Sequence, residues 1–139
     1  MAEAQLDKTI KFELVSPERV LASGEAGMVV VPGEAGDLGI LPEHSPLVSS
    51  LRPGIVALHM PGGSVQKIFV SGGFADISPK LCSVLAEEAV NVTDIDRQAV
   101  EREIASLREE INAAGDDAVK TILLQKQLAV AQGRLAAAA

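Results

Sequence analysis

The stretch GIVALHMPGGSVQKIFV, residues 54–70, holds two apolar-rich segments separated by Pro61-Gly62-Gly63. In the first segment, Val56, Leu58 and Met60 would point one way and the residues between them the other way, which is the period-two pattern of a strand. A Pro-Gly-Gly turn between two such segments favours a β-hairpin. The stretch therefore predicts antiparallel β-structure.

The same organisation extends over the first two thirds of the chain. Short apolar or alternating segments lie between turns rich in glycine, proline and serine, and no helical periodicity separates them. Closely spaced strands of this kind favour an antiparallel β-sandwich or barrel. The segments predicted as strands are residues 11–15, 19–22, 27–31, 54–60, 64–70, 74–77 and 80–86.

The composition changes near Val92. All seven prolines lie at or before Pro79, ten of the twelve glycines lie at or before Gly73, and alanine becomes frequent afterwards. Such a change marks the boundary between a turn-rich strand region and a helical region. We therefore expect two domains, residues 1–92 and residues 93–139.

The second domain has the periodicity of two amphipathic helices. Thr93 or Asp94 is predicted to cap the first helix, Gly115 to end it, and Asp116-Asp117 to begin the second. A short turn between two helices favours an antiparallel hairpin. The apolar faces are predicted at Val100, Ile104, Leu107 and Ile111 of the first helix and at Val119, Ile122, Leu123, Leu128, Ala131 and Leu135 of the second.

Charge and composition argue against several classes of function. The net charge is −7, and the only aromatic residues are Phe12, Phe69 and Phe74, which disfavours nucleic-acid binding and docking on anionic lipid. The N-terminus does not resemble a signal peptide, and no apolar run approaches membrane-spanning length, so we expect any membrane association to run through a partner. The single cysteine, Cys82, is predicted to be a buried residue of a strand.

Residues 31–46, VPGEAGDLGILPEHSP, form the most unusual segment. Its glycines match neither a phosphate-binding loop nor a dinucleotide fingerprint, so we predict a long, turn-rich loop that exposes contact residues. Glu43 and His44 lie side by side there, but the chain has no nucleophile motif and no metal-ligand spacing. We therefore predict no catalytic residue and no metal site.

Several ordered segments resemble the epsilon subunit family of bacterial F-type ATP synthases. The resemblance implies an N-terminal antiparallel ten-stranded β-sandwich, a C-terminal antiparallel two-helix hairpin, no cofactor and no active site. It also implies a rotor subunit of the central stalk that couples proton flow to ATP synthesis. The segments are FELVSPE at 12–18, GEAGDLGILPEHSP at 33–46, RPG at 52–54, VSGGF at 70–74, VLAEEA at 84–89 and ID at 95–96.

The resemblance also implies partners and contact residues. The β-domain would bind the gamma subunit and the c-ring, with Asp37 and His44 at the c-ring contact. The complex would lie at the cytoplasmic face of the bacterial inner membrane. The hairpin would reach the alpha and beta catalytic-head subunits and act as a brake. The family's ATP motif is Ile/Leu-Asp-x-x-Arg-Ala, and here Asp96 is present but Ala99 takes the place of the arginine. We therefore expect poor ATP binding and at most weak inhibition of hydrolysis.

Two other functions fit the residues less well. One is a stand-alone β-sandwich adaptor whose helical tail drives self-association. The other is a small hydrolase that uses His44 with Glu43, which the missing nucleophile disfavours. Co-purification with gamma would separate the rotor subunit from the adaptor.

Overall fold

The computed structural model describes residues 8–138, which divide between Asn91 and Val92 into two units. The expectation about a signal peptide rests largely on residues 1–7, which lie outside the described residues, as does Ala139. Within residues 8–91 the chain forms ten strands. They are β1 (Ile10–Val15), β2 (Val20–Ala26), β3 (Met28–Gly33), β4 (Gly36–Ile40), β5 (Leu47–Leu51), β6 (Gly54–His59), β7 (Val65–Val70), β8 (Gly73–Ile77), β9 (Leu81–Ala86) and β10 (Ala89–Asn91).

The strands form one continuous sheet in the order β10-β7-β6-β3-β5-β8-β9-β1-β2, with β4 paired to β3. The predicted β-sandwich is confirmed, with one exception to its antiparallel pairing. Strands β1 and β9 run parallel, with Phe12 opposite Cys82. These two strands are far apart in sequence, so no hairpin turn forces them to be antiparallel.

The core of this unit comes from alternate residues of the strands. The predicted hairpin at 54–70 is present, since the amide of Met60 donates to the carbonyl of Ser64 at 2.8 Å. Val56 and Leu58 on its first strand are buried, as the alternation predicts, and Cys82 is fully buried in β9. Burial of one face of each strand supplies most of the stability of a sheet of this kind.

The prediction of one long loop over residues 31–46 is wrong in its first half. Strands β3 and β4 form a hairpin in which Val31 pairs with Leu38, and Glu34 and Ala35 make the turn. The glycines of β4 hid this strand in the sequence, because glycine is depleted in strands and contributes no apolar side chain to an alternating pattern.

The second unit contains a short 3-10 turn, Val92–Asp94, followed by helices α1 (Arg97–Ala113) and α2 (Ala118–Ala138). The prediction that Thr93 or Asp94 caps the first helix is wrong, because both residues lie in the 3-10 turn. Asp96 is the cap, and its Oδ1 accepts a hydrogen bond from the amide of Ala99 at 3.2 Å. The second helix begins directly after Asp116-Asp117, as predicted, and Oδ1 of Asp117 accepts a hydrogen bond from the amide of Lys120 at 3.1 Å.

Packing within the helical unit follows the predicted face of α1 more closely than that of α2. Val100, Ile104 and Leu107 of α1 are buried, with Ile111 partly buried beside them. On α2 the prediction is partly wrong, because the buried residues are Leu124, Ala131 and Ala137, whereas Val119, Ile122 and Leu123 are exposed. Three consecutive apolar residues, 122–124, cannot all face one helix, and the sequence pattern alone does not say which one does.

Candidate functional site

The tip of the β3–β4 hairpin is held by a side chain from the turn after β5. The guanidinium of Arg52 donates from Nη1 to the carbonyl oxygen of Gly33 and from Nη2 to Oδ1 of Asp37, each at 2.5 Å. The amide of Arg52 also donates to the carbonyl of Pro32 at 3.0 Å, and that of Glu34 donates to the carbonyl of Ser50 at 2.9 Å. The side chain of Asp37 nevertheless remains 63% exposed.

His44 lies in the loop that follows β4. Its ring Nδ1 lies 2.7 Å from the carbonyl oxygen of Ser45, and its amide donates to the carbonyl of Leu41 at 3.2 Å. The neighbouring Glu43 has a left-handed backbone, with φ of 67°, and its amide donates to the carbonyl of Pro79 at 2.7 Å. These bonds fix the loop while leaving His44 partly exposed.

The structure does not bring Asp37 and His44 to one point. Asp37 is near the start of β4, and His44 lies four residues beyond Ile40, the end of that strand. At about 3.3 Å per residue, the strand alone separates Asp37 from Ile40 by roughly 10 Å. The two side chains therefore mark two ends of one edge of the sheet.

The local geometry gives no support to acid–base chemistry at Glu43 and His44. The carboxylate of Glu43 faces Nζ of Lys8 at 3.9 Å, whereas His44 bonds to the carbonyl of Ser45. Neither side chain is therefore oriented by the other. Among residues 8–138, no group of three or more histidine, cysteine or acidic residues could hold a metal ion. No helix in the same range has the length and apolar character needed to cross a bilayer.

The residues of the ATP motif start α1. The carboxylate of Asp96 is engaged as the helix cap, and the guanidinium of the adjacent Arg97 donates to Glu101 at 3.4 Å, one turn further on. Position 99 contributes an alanine side chain with no charge for a phosphate. This segment therefore presents no unengaged cation where the motif has its arginine.

A row of apolar side chains crosses the outer face of the sheet. Direct pairing places Phe74 of β8 opposite Leu85 of β9, Leu85 opposite Val15 of β1, and Val15 opposite Val20 of β2. Phe74, Leu85 and Val20 are 51–60% exposed, although they lie side by side. Directly opposite side chains in a sheet are about 5 Å apart, so these four residues form one continuous strip, which we call the outer apolar row.

Sequence reasoning missed the outer apolar row because its members come from four strands. The one local signal is that Val84-Leu85 and Leu14-Val15 place apolar residues on both faces of a strand. A strand with one face in solvent normally alternates apolar and polar residues. Two consecutive apolar residues therefore indicate that the outer face is also covered. Recognising the row required the strand register.

Comparisons with known proteins decide the family. The family model for the ATP synthase Delta/Epsilon chain beta-sandwich domain matches residues 9–92. The ATP synthase epsilon chain of Parvibaculum lavamentivorans is 45% identical over 117 residues, covering 84% of this chain and 89% of that one. The chain belongs to the ATP synthase epsilon chain family. The ATP synthase epsilon chain of Rhodospirillum rubrum is 41% identical over 130 residues, covering 94% of this chain and 96% of its own.

Solved structures agree on the fold. A chain from the Euglena gracilis mitochondrial ATP synthase (OSCP/F1/c-ring) superposes with a TM-score of 0.82, covering 93% of this chain and 81% of that one at 22% identity. A chain from the Tetrahymena thermophila mitochondrial ATP synthase central stalk/c-ring gives a TM-score of 0.63 at 11% identity, covering 95% and 98%. The predicted family is thereby confirmed from the relatives, and the predicted fold from both comparisons. The roles predicted for Asp37, His44 and Asp96 stay predictions.

Proposed function

We propose that this chain is a rotor subunit of the central stalk of ATP synthase, bound to the gamma subunit and the c-ring through its β-sandwich. The observation that carries the proposal is that relatives 41–45% identical over most of both chains are ATP synthase epsilon chains. In this role the chain has no active site and couples proton flow through the c-ring to ATP synthesis. It lies at the cytoplasmic face of the bacterial inner membrane, held there by the complex.

The outer apolar row is the face we assign to gamma. Three of its four side chains, Phe74, Leu85 and Val20, are more than half exposed in the chain alone, and complete burial of a leucine or phenylalanine side chain contributes roughly 1.5–3 kcal/mol. Apolar rows rimmed by polar residues are typical of protein interfaces. Polar residues border the row here, because the hydroxyl of Ser83 on β9 donates to the carboxylate of Glu13 on β1 at 3.1 Å, two residues along each strand from the row.

The edge marked by Asp37 and His44 is the contact we assign to the c-ring. Both side chains are polar, Asp37 is exposed and His44 is partly exposed, and β4 is paired on one side only, to β3. A partner that touches both residues must extend along β4, because they lie at its two ends. Exposed polar pairs contribute only about 0–1 kcal/mol each, so this contact would fix the register of the ring while gamma supplies most of the affinity.

The gamma assignment is tested by charge substitution on the outer apolar row. Phe74→Asp should weaken gamma binding by about 100-fold, because a carboxylate would be buried against an apolar partner. Val65→Asp is the matched control, since Val65 is also exposed, at 43%, but lies on β7 away from the row. Equal affinities for the two variants, measured by titration calorimetry with matched melting temperatures, would refute the assignment.

The c-ring assignment is tested in reconstituted ATP synthase vesicles. Asp37→Ala and His44→Ala should lower the number of protons pumped per ATP hydrolysed, while gamma binding by the isolated variants stays unchanged. The physical reason is that loss of a register contact allows the ring and stalk to slip. Normal coupling in both variants would contradict the assignment.

The hairpin is the part of the chain that we assign to regulation, through contact with the alpha and beta subunits of the catalytic head. The engaged carboxylate of Asp96 and the alanine at position 99 support poor ATP binding by this unit. Removal of residues 93–139 should therefore change ATP hydrolysis in the reconstituted complex only slightly. Sub-millimolar ATP affinity, or strong activation on truncation, would contradict this part of the proposal.

A second candidate function is a self-associating adaptor, which one observation favours. Val119, Ile122 and Leu123 form an apolar patch on α2 that is 57–69% exposed. Sedimentation of the purified chain separates the candidates, because an adaptor should dimerise through α2 whereas a rotor subunit should bind gamma as a monomer.

A further inference from the structure

The tip of the β3–β4 hairpin is built from residues that do not fix its conformation by themselves. Gly33 and Gly36 close the turn, and Gly36 has φ of 146°, a region that favours glycine. A Cβ at Gly33 would lie 2.6 Å from the carbonyl oxygen of Gly36, so only glycine fits there. Glycine loses more backbone freedom on ordering than any other residue, so this tip needs an outside constraint to hold one geometry.

Arg52 supplies that constraint from the turn between β5 and β6. Its two terminal nitrogens reach Gly33 and Asp37, and its amide reaches Pro32, so three bonds from one residue converge on the hairpin. Gly54 brings the two segments close together, because a Cβ there would lie 2.7 Å from Cβ of Pro32. A planar guanidinium can make two such bonds at fixed angles, which a lysine ammonium cannot reproduce.

The bond to Arg52 also decides how Asp37 meets a partner. It engages Oδ1 and restrains the rotation of the Asp37 side chain, which as a whole stays 63% exposed, so Oδ2 is the carboxylate oxygen left for a partner. An exposed ion pair adds only about 0–1 kcal/mol to stability, so its main effect is on orientation. The oriented oxygen is an acceptor, and it fits a partner loop that offers an amide or cationic donor.

We propose that Arg52 is the positioning residue of the Asp37 contact. It holds the glycine-rich tip in one conformation and aims the carboxylate of Asp37 at hydrogen-bond donors of the ring. This inference rests on the proposed function, since it takes the c-ring as the partner at Asp37. It predicts that the fork geometry of Arg52 matters and not its charge alone.

The first test uses the isolated full-length chain and needs no partner. Arg52→Lys keeps the charge and Arg52→Gln removes it, and Lys67→Gln is the control because Lys67 is exposed on β7 and lies away from the tip. Both Arg52 variants should speed amide hydrogen exchange at residues 34–38 by about tenfold or more, with melting temperature and gamma affinity unchanged. If residues 34–38 of Arg52→Lys exchange as slowly as those of the unaltered chain, the inference is overturned. A parallel loss of gamma affinity would also overturn it, because that loss would indicate a merely structural role for Arg52.

The second test is a double-mutant cycle on coupling in reconstituted ATP synthase vesicles. Arg52→Lys should lower the protons pumped per ATP by the same fraction as Asp37→Ala, and the double variant should be no worse than either single one. If Asp37→Ala impairs coupling but Arg52→Lys does not, or if the two losses add, the ring contact stands and the role of Arg52 is overturned. If Asp37→Ala has no effect, the ring contact itself fails and the inference falls with it.

Discussion

The two units of the chain are stabilised by contacts of different range. In the β-unit one cluster of buried residues draws on nearly every strand, and its pairs include Phe12 and Cys82, 70 positions apart. In the helical unit the buried set is one thin stripe between α1 and α2, from Val100 to Ala131. A sheet closed by distant contacts should fail as a whole, whereas a two-helix stripe can open locally. The five predictions below test this contrast.

The largest effect is expected at Gly73, where the β-unit leaves no room for a side chain. Its φ is 132°, and a Cβ would lie 1.9 Å from the carbonyl oxygen of Leu85 on the paired strand. Gly73→Ala should cost about 4 kcal/mol or more, because the β8–β9 ladder must separate. Gly62→Ala, at a turn position with open space, should stay within about 0.5 kcal/mol in the same urea titration. Similar midpoints for the two variants would contradict this close packing.

Core truncations separate the two units directly. Leu58→Ala in the β-unit should cost roughly 3–4 kcal/mol, and Leu107→Ala in the hairpin roughly 2–3 kcal/mol, because the β-unit site is more completely buried. Hydrogen exchange should show that Leu107→Ala exposes only amides of α1 and α2, whereas Leu58→Ala speeds exchange throughout the sheet. If Leu107→Ala speeds amide exchange in the sheet as much as in the helices, the two units unfold together.

Alkaline pH should weaken the β-unit through Cys82. Burial, with a smaller contribution from the charge of Asp76, raises the pKa of this thiol from 9.0 to about 11. The folded chain therefore holds this proton more tightly than the unfolded chain does. The resulting stability is complete below pH 9 and is lost as the pH rises from about 9 to about 11. In Cys82→Ala the free energy of unfolding should change less between about pH 9 and about pH 11. An unchanged dependence on pH would contradict the role given to the Cys82 thiol.

A small gain in stability is expected at Glu43, the one non-glycine residue with positive φ within residues 8–138. Glu43→Gly relieves about 1–2 kcal/mol of left-handed strain and costs about 0.5–1 kcal/mol of backbone entropy, for a net gain of up to about 1.5 kcal/mol. Glu18→Gly, in the β1–β2 turn and without positive φ, should give no gain. Thermal melting checks this prediction, since the melting temperature should rise in Glu43→Gly and should not rise in Glu18→Gly.

The smallest effect is expected at the exposed patch of α2. Ile122→Gln should change the free energy of unfolding by less than about 0.5 kcal/mol, because the side chain is 66% exposed. Leu124→Gln, two residues further on and 8% exposed, should destabilise the hairpin by roughly 2 kcal/mol or more. Equal losses would show that Ile122 is covered in solution, as the self-associating adaptor requires.

Local pattern was sufficient wherever one segment carried its own signal. The hairpin at 54–70, the stripe of α1 and the cap at Asp117 follow from alternation, spacing and capping chemistry within a few residues. The family followed from ordered motifs along the chain. The pattern failed at β4, where glycine replaces apolar residues, and at the start of α1, where Asp94 and Asp96 both carry a side chain that can cap.

By itself, the sequence determined the class of each half, and it predicted a boundary near Val92 and the residues worth testing as contacts. Only the tertiary structure decided the outer apolar row, the face of α2 left exposed, and the bond from Arg52 to Asp37. The reason is that periodicity records which side of its own element a residue occupies, and carries no information about which distant element lies beside it. Register between strands and packing between helices supply that information, and they depend on the whole unit at once.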